Sequence, residues 1–330
     1  MHKILVSLLS LFLVACASGS ANTQRSETGA DTIAVAHREF TADRDFSYVE
    51  TQVKFGPRVP GSDAHSRCVD FLAGSLKRFG ADSVSIQRAT VKSYDDKNVP
   101  IANILASFNS AAPKRILLLA HYDTRPWADN DPSEANHQTP IDGANDGGSG
   151  VAVILELARL IGQSQPQVGV DILFTDAEDS GISSTLGNTD DTWCLGTQYW
   201  AANSPYSPEN RPAYGILLDM VGGRNAVFPR EYNSTRMAPQ VVDRVWSIAA
   251  ASPHASRFPN SIGGGVTDDH LFVNSAGIPC IDIIETANPE TGSFPPTWHT
   301  VADNLSNIDP ATMKAVGSVL LDVIYSEPIN

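Results

Sequence analysis

The chain has 330 residues, of which 42% are hydrophobic and 18% charged, a composition typical of a globular protein with a hydrophobic core. This length allows one large α/β domain or two medium ones. The formal net charge of −14 argues against nucleic acid as a partner and disfavours strongly acidic substrates.

The first residues are predicted to be a targeting segment rather than part of the fold. The apolar run of residues 4–15 is too short to span a bilayer but suits a signal-peptide core. It ends in Leu13-Val14-Ala15-Cys16, which resembles the lipobox of bacterial lipoproteins, in which the cysteine is lipidated. The alternative is an ordinary signal peptide in which Cys16 is incidental.

The lipobox reading predicts three parts of the chain and a location. Residues 1–15 are expected to be a signal peptide, and residues 16–38, rich in Ser, Ala, Gly and Thr, a lipidated tether. Residues 39–330 are expected to be a single catalytic α/β domain. The protein is therefore expected to be exported to the periplasm and to contact a membrane only through its lipid. The outer membrane is favoured because Ala17, rather than Asp, follows the cysteine.

From residue 39 onward, helical and strand patterns alternate, which predicts a sheet covered by helices on both faces. An amphipathic helix is expected over Asp63–Phe79, with Ser62 as its N-cap. The other predicted elements are strands at 83–91, 101–108, 116–120, 168–174, 214–218 and 278–284, and helices at 150–160 and 311–325. Three cysteines remain in the domain, and Cys280 is expected to pack in a strand; one disulfide could form in an oxidising compartment.

Acidic and imidazole side chains follow the ends of the buried strands again and again. The candidates are His121, Asp123, Asp146, Glu178, Asp179, Asp219, Asp268, Asp269, His270 and His299. In an open α/β sheet, ligand crevices form at the carboxyl ends of the strands, so this repetition predicts a functional site there.

The residue types at this edge suit a zinc site. Zinc takes imidazole and carboxylate ligands and keeps one position open when it is catalytic. No short motif such as HExxH occurs, so the ligands must converge from distant segments, and Asp146 taken alone could be a turn or a helix cap. Glu178 and Asp179 are more informative, because adjacent carboxylates repel unless they share a cation or a proton.

The order His121-x-Asp123, Asp146, Glu178-Asp179, Asp219, His299 resembles the co-catalytic zinc aminopeptidases. A closer resemblance is to the glutaminyl cyclases, which share that fold and work with a single zinc. The segments Asp268-Asp269-His270 and Trp298-His299-Thr300 carry it most specifically, and the peptidases usually have Ser at the position of Asp268. The resemblance implies a three-layer αβα fold with a mixed, mostly parallel central sheet.

The resemblance also implies a role for each candidate residue. Zinc would be held by Asp146, Asp179 and His299, with one ion expected. Glu178 would act as general base and acid, with Asp219 and Asp268 in an acidic hydrogen-bond network beside it. Trp298 and, more weakly supported, Trp193 would contact the substrate, and His121, Asp123 and Asp282 would lie behind the ligands and orient them.

Two features depart from the animal cyclases and one residue stays ambiguous. Asp179 replaces the usual Glu, and Asp282 stands where those enzymes have a His. His121 is either a ligand of a second zinc or a partner of Asp123, and the cyclase-like Asp268 favours the latter. His270 is expected to be structural and to cap the helix that begins there. The other histidines, His65 among them, are interpreted as surface residues.

The resulting prediction is a zinc-dependent glutaminyl-peptide cyclotransferase that acts on peptides and proteins with N-terminal glutamine. The first alternative is a two-zinc aminopeptidase, which would use the same glutamate to activate water. The second is a binding lipoprotein that kept the fold and lost the chemistry; it is disfavoured because no expected site position is lost.

Overall fold

A computed structural model of the chain describes residues 39–182 and 188–329. The predicted signal peptide, Cys16 and the predicted tether lie outside these residues. Within the described ranges, no helix is both long enough and apolar enough to cross a bilayer.

The described elements alternate between strands and helices along most of the chain. The strands are β1 Ser83–Lys92, β2 Asn98–Phe108, β3 Arg115–His121, β4 Gly169–Thr175, β5 Gly215–Leu218 and β6 Cys280–Ile283. The helices are α1 Ala42–Lys54, α2 Asp63–Arg78, α3 Gly148–Gln163, α4 Leu195–Ala202, α5 Tyr232–Met237, α6 Pro239–Ala251, α7 Asp269–Ser275 and α8 Pro310–Tyr325.

The strands form one mixed sheet in the order β1-β2-β4-β3-β5-β6. β1 and β2 form an antiparallel hairpin, and β2 joins β4 antiparallel. The pairs β3–β4, β3–β5 and β5–β6 are parallel. Every residue of β4 is buried, as expected for a strand covered on both faces.

Helices cover both faces of the sheet, so the architecture is a three-layer αβα sandwich. On one face, Ile116 and Leu118 of β3 belong to a large core that includes apolar residues of α1, α2, α3, α6 and α8. On the other face, Leu117 and Leu119 pack with Trp200 of α4 and Val273 of α7. The alternation of β3 side chains between two cores follows from the two-residue period of a strand. The predicted fold class is confirmed.

The order of the strands places a crevice beside the end of β3. The chain leaves β3, crosses through α3 to β4 on one side, and then crosses through α4 to β5 on the other side. α3 and α4 lie on opposite faces, so β3 is the point at which the direction of winding reverses. Ligands in open α/β sheets bind outside the carboxyl ends of the strands at such a point.

Most predicted elements agree with the structure, two interpretations of histidines are wrong, and the open question of a disulfide is answered. Ser62 accepts a hydrogen bond from the backbone N–H of His65 (3.1 Å) and caps α2, as predicted. His65 is buried rather than on the surface, with its Nε2 2.8 Å from Asp176 Oδ2. His270 does not cap α7, because the cap is Asp268. Among the described cysteines no disulfide forms: Cys68, Cys194 and Cys280 are buried and free.

Candidate active site

The predicted site residues come together at the carboxyl edge of the sheet. A cavity of about 310 Å³ opens there. Its lining includes Asp146, Glu178, Asp179, Trp193, Asp219, Asp268, Trp298 and His299. No lysine or arginine is found among the described residues that line it. The remaining predicted residues are buried and do not line the cavity: His121, Asp123, Asp269, His270 and Asp282.

Three of the lining residues form a group with the geometry of a metal site. Ligand atoms of Asp146, Asp179 and His299 all lie within 4.8 Å of one another. His299 Nε2 is 3.1 Å from Asp179 Oδ1 and 3.8 Å from Asp146 Oδ2. Asp179 Oδ2 is buried and has no hydrogen-bond partner. Two carboxylates, one imidazole and an unpaired buried oxygen fit a catalytic zinc ion with three protein ligands.

The backbone near α3 fixes the position of Asp146. The Asp303 carboxylate accepts hydrogen bonds from the backbone N–H groups of Asn145 (2.8 Å) and Asp146 (3.0 Å). Gly147 then turns into the helix with φ +80°, and a Cβ there would lie 2.9 Å from the ring of His121. The glycine is required because no side chain fits this turn.

His299 is held by the loop that follows β3. The backbone N–H of Asn130 donates to the carbonyl oxygen of His299 (3.1 Å), and Asp129 Oδ1 lies 3.4 Å from His299 Nδ1. A carboxylate at the far nitrogen of a metal-binding imidazole fixes its tautomer and orientation. Burial opposes a positive charge on His299, but Asp179 and Asp129 raise its pKa.

Arg125, which was not predicted from the sequence, places a positive charge beside Asp179. It is buried, and its Nη1 donates to Asp179 Oδ1 (3.3 Å) and to the carbonyl oxygen of Gly181 (3.1 Å). Its guanidinium carbon lies over the ring of Trp127, 4.9 Å from the centroid, and over the ring of Trp193, 5.0 Å from the centroid. Burial opposes ionisation of Asp179, but His299 and Arg125 outweigh it and lower its pKa.

Glu178 lies beside Asp179 in the chain but in a different environment. Burial and then the charge of Asp268 raise the pKa of Glu178 well above its usual value. Burial, followed by the charge of Asp219, raises the pKa of Asp268 in the same way. Burial and Asp268 likewise raise the pKa of Asp282. These carboxyls therefore favour holding protons.

The backbone of the two adjacent acids is held by Asp123. Asp123 accepts from the N–H of Glu178 (3.1 Å, Oδ1) and from the N–H of Asp179 (3.3 Å, Oδ2). Just before them, Ala177 adopts φ +51°, and Asp176 Oδ1 accepts from its N–H (2.8 Å). Asp123 thus orients the acid pair directly, in addition to lying 3.6 Å from His121.

Asp176 is itself fixed by a buried cluster that sequence reasoning missed. Its Oδ2 accepts from Tyr122 Oη (2.8 Å) and from the backbone N–H of Ala102 (2.6 Å), and lies 2.8 Å from His65 Nε2. A signal existed in the sequence, since His65 shares a helix face with the apolar Val69 and Leu72. The cluster ties α2, β2 and β3 to the turn before Glu178.

His121, for which the sequence left two roles open, lies between two carboxylates. Its Nε2 is 3.0 Å from Asp146 Oδ1 and 3.2 Å from Asp219 Oδ1. Burial opposes its protonation, but Asp123, Asp146 and Asp219 raise its pKa well above the usual value. His121, Asp146 and Asp219 form a second group that could hold a cation, so both alternatives for His121 are compatible with this placement.

The aromatic residues wall the cavity. Trp298 stacks on His299 with ring centroids 3.8 Å apart, and Trp193 lies on the same imidazole at 6.0 Å. Phe294 lies 4.6 Å from Trp298. Flat apolar walls beside a polar floor suit a ligand that has one polar end.

The fold and this site define a zinc hydrolase-like scaffold whose candidate metal ligands converge from separate loops at the edge of the sheet. Residues 103–324 match the family model of peptidase family M28, and the chain belongs to that family.

Individual relatives extend the comparison. The crystal structure of Bacteroides thetaiotaomicron glutaminyl cyclase bound to N-acetylhistamine is 49% identical, covers 88% of this chain and 99% of its own, and superposes with a TM-score of 0.84. A leucine aminopeptidase precursor from the same organism is 48% identical over 88% of this chain and 99% of its own, with a TM-score of 0.83. The glutaminyl-peptide cyclotransferase of Bos taurus is 24% identical, covering 80% of this chain and 76% of its own.

Proposed function

We propose that the protein is a zinc-dependent glutaminyl-peptide cyclotransferase, which converts N-terminal glutamine of peptides and proteins to pyroglutamate and releases ammonia. The observation that carries the proposal is the position of Asp268, whose carboxyl oxygen lies within 4.8 Å of that of Glu178. A second buried acid beside the general base keeps a proton available at the reacting centre. The similarity to bacterial and animal glutaminyl cyclases supports the same function.

The three-residue group described above would hold the zinc ion. Bound there by Asp146, Asp179 and His299, zinc supplies Lewis-acid polarisation of the side-chain amide of the substrate. Arg125 and Asp129 keep Asp179 and His299 in place for this role.

Cyclisation requires the α-amine to attack the Cδ carbonyl carbon, the bond to the amide nitrogen to break, and one proton to move between the two nitrogens. Glu178 takes the proton from the amine and returns it to the departing ammonia, so no water is consumed. The raised pKa moves the titration of the Glu178 carboxyl toward neutral pH. A carboxyl that titrates near the working pH both accepts and donates a proton efficiently. Because the attack is intramolecular, the remaining task is to hold the folded-back conformer, which the walls of Trp298 and Trp193 suit.

The test is to incubate the full-length, zinc-loaded chain with glutamine-initiated peptides and to follow the products by mass spectrometry. Loss of ammonia with an intact peptide chain, abolished by a zinc chelator, supports the cyclase. Release of the first amino acid would instead identify an aminopeptidase. The group of His121, Asp146 and Asp219 is the observation in favour of that second function. Two zinc ions per chain, falling to one in His121→Gln, would accompany it.

A second part of the proposal concerns location. We propose that the chain is exported and anchored by lipid at Cys16 to a bacterial membrane, the outer membrane being favoured. The support is the segment Leu13-Val14-Ala15-Cys16 after an apolar run, and the polar residues that follow it. Metabolic labelling with a radioactive fatty acid in a bacterial host tests it: label should enter the wild-type chain and not Cys16→Ser. Equal labelling of both contradicts the anchor.

A further inference from the structure

The side chain of Cys194 lies against the proposed general base. Cys194 Sγ is 3.3 Å from Glu178 Oε1, within the range of a thiol hydrogen bond. Within residues 39–182 and 188–329, this thiol is the only side-chain donor to the Glu178 carboxylate. Oε2 has no protein hydrogen bond in the same residues, so the contact holds one oxygen and leaves the other to the cavity.

The backbone around Cys194 fixes this approach. The N–H groups of Cys194, Leu195 and Gly196 donate to the carbonyl oxygens of Glu178 (2.9 Å), Ala177 (3.0 Å) and Asp176 (2.9 Å) in turn. The first turn of α4 is thereby joined to the loop after β4, and otherwise unpaired helix N–H groups are satisfied. Cys194 adopts φ +57°, a left-handed conformation that is uncommon outside glycine. The side chain is thus aimed at Glu178 by a constrained backbone.

The chemical state of the thiol also suits a donor. Cys194 is fully buried, and burial followed by the charge of Glu178 raises its pKa well above the usual value, so the sulfur keeps its proton. Glu178, Cys194 and Asp268 are also close enough to hold a cation, so the zinc content of each Cys194 variant must be measured beside its kinetics. A neutral donor orients the carboxyl without adding a positive charge.

We propose that Cys194 is a positioning residue for the cyclisation, whose thiol donates to Glu178 Oε1 and directs Oε2 toward the substrate amine. The proposal rests on the cyclase function above. It requires that removing the donor slow the chemical step while substrate binding and the metal stay unchanged, because Cys194 does not line the cavity.

Two substitutions separate the hydrogen bond from packing. Cys194→Ser keeps a donor and Cys194→Ala removes it, and both carry the Cβ that the left-handed backbone already accepts. Cys68→Ala is the matched control, because Cys68 is also fully buried and free but lies in α2. Each variant is prepared as the zinc-loaded full chain, and zinc content, melting temperature, kcat and KM are measured with a glutamine-initiated peptide.

We expect Cys194→Ala to lower kcat about tenfold with KM within about twofold, and Cys194→Ser to stay within about threefold of the wild-type kcat. Cys68→Ala should keep the wild-type kcat. Equal losses in the Ala and Ser variants, or a Cys194→Ala kcat within about twofold of wild type, overturn the proposal. Wild-type protein that cyclises no peptide refutes the proposed function instead.

A spectroscopic measurement covers the case in which Cys194→Ala does not fold and is independent of turnover. The S–H stretching band of Cys194 is assigned by its loss in Cys194→Ser. Glu178→Leu removes the acceptor, so this band should move to higher frequency while those of Cys68 and Cys280 stay. An unchanged band would show that the thiol does not donate to Glu178, and would overturn the proposal.

Discussion

Glu178 and Asp179 are neighbours in the chain, yet their surroundings differ in kind. Asp179 faces His299 and Arg125, and its pKa is lowered despite burial. Glu178 faces Asp268 and a neutral thiol, and its pKa is raised well above the usual value. These surroundings suit the different tasks proposed for the two acids, Asp179 as an ionised metal ligand and Glu178 as a carrier of protons. The difference arises from the side chains that other segments of the chain place beside each carboxyl.

Removing a ligand from the group of Asp146, Asp179 and His299 should have the largest effect on activity. His299→Ala removes the only imidazole of the three-residue zinc group, so zinc should be lost and cyclase activity should fall below detection. Zinc content by elemental analysis and turnover of a glutamine-initiated peptide measure this. His254→Ala, which changes a histidine remote from the described site, should retain both. Full zinc content in His299→Ala would show that the ligands are misassigned.

Loss of the Glu178 carboxylate should lower activity without the loss of zinc that is expected for His299→Ala. Glu178→Gln keeps the shape of the side chain but cannot shuttle a proton, so kcat should drop by about 10²–10⁴-fold while zinc stays bound. Elemental analysis and kinetics on the same sample separate the two effects. Glu209→Gln, an exposed glutamate, is the control. Loss of zinc along with activity would mean that Glu178 belongs to the metal group and that the division between the neighbours is wrong.

A substitution of Asp129 tests whether zinc affinity depends on the carboxylate that faces His299. Asp129→Asn preserves size but removes the charge that faces His299 Nδ1, so zinc affinity should weaken by about tenfold. Competition with a graded chelator gives the affinity, and kcat at saturating zinc should change little. Asp95→Asn, on an exposed carboxylate paired with Lys97, provides the reference. An unchanged zinc affinity would assign the orientation of His299 to its backbone alone.

Asp45, in α1, isolates the effect of burial from that of the active site and should have the smallest effect on activity. Burial raises its pKa to about 8, whereas the unfolded chain titrates near the usual value of 3.8. Between these values the folded state holds a proton that the unfolded state releases, so the free energy of unfolding should fall as pH rises from 4 to 8, by up to about 1 kcal/mol per pH unit. Asp45→Asn should make this slope shallower by the contribution of Asp45, while the other buried acids with raised pKa values keep theirs.

Urea unfolding at pH 5 and pH 8 measures the Asp45 effect. The variant should gain stability relative to wild type at pH 8 more than at pH 5. Asp43→Asn changes an exposed carboxylate of the same helix and should leave the slope in place. A wild-type stability that is equal at both pH values, with Asp45→Asn unchanged, would mean that burial alone does not hold a proton in this fold.

Much of the architecture could be read from the sequence because buried strands and amphipathic helices have their own periods. The apolar run at β3 and the Ser62 cap of α2 are local patterns, and both are found where they were predicted. The zinc chemistry was also accessible, because acids and histidines recur at strand ends and those ends meet at one edge of a parallel sheet. The order of motifs then distinguished the family, through Asp268 and the Trp298-His299 segment.

The tertiary structure alone decided which groups face one another. Nothing local identifies Asp179 as the partner of Arg125, Glu178 as the acceptor of Cys194, or Asp176 as the partner of His65, since the members of each pair lie on different elements or loops. The pKa of a carboxyl depends on the charges and the water within a few ångströms of it, and sequence neighbours need not share either. For that reason the sequence marked Glu178 and Asp179 as candidate site residues, and only the fold gave the two carboxyls different surroundings.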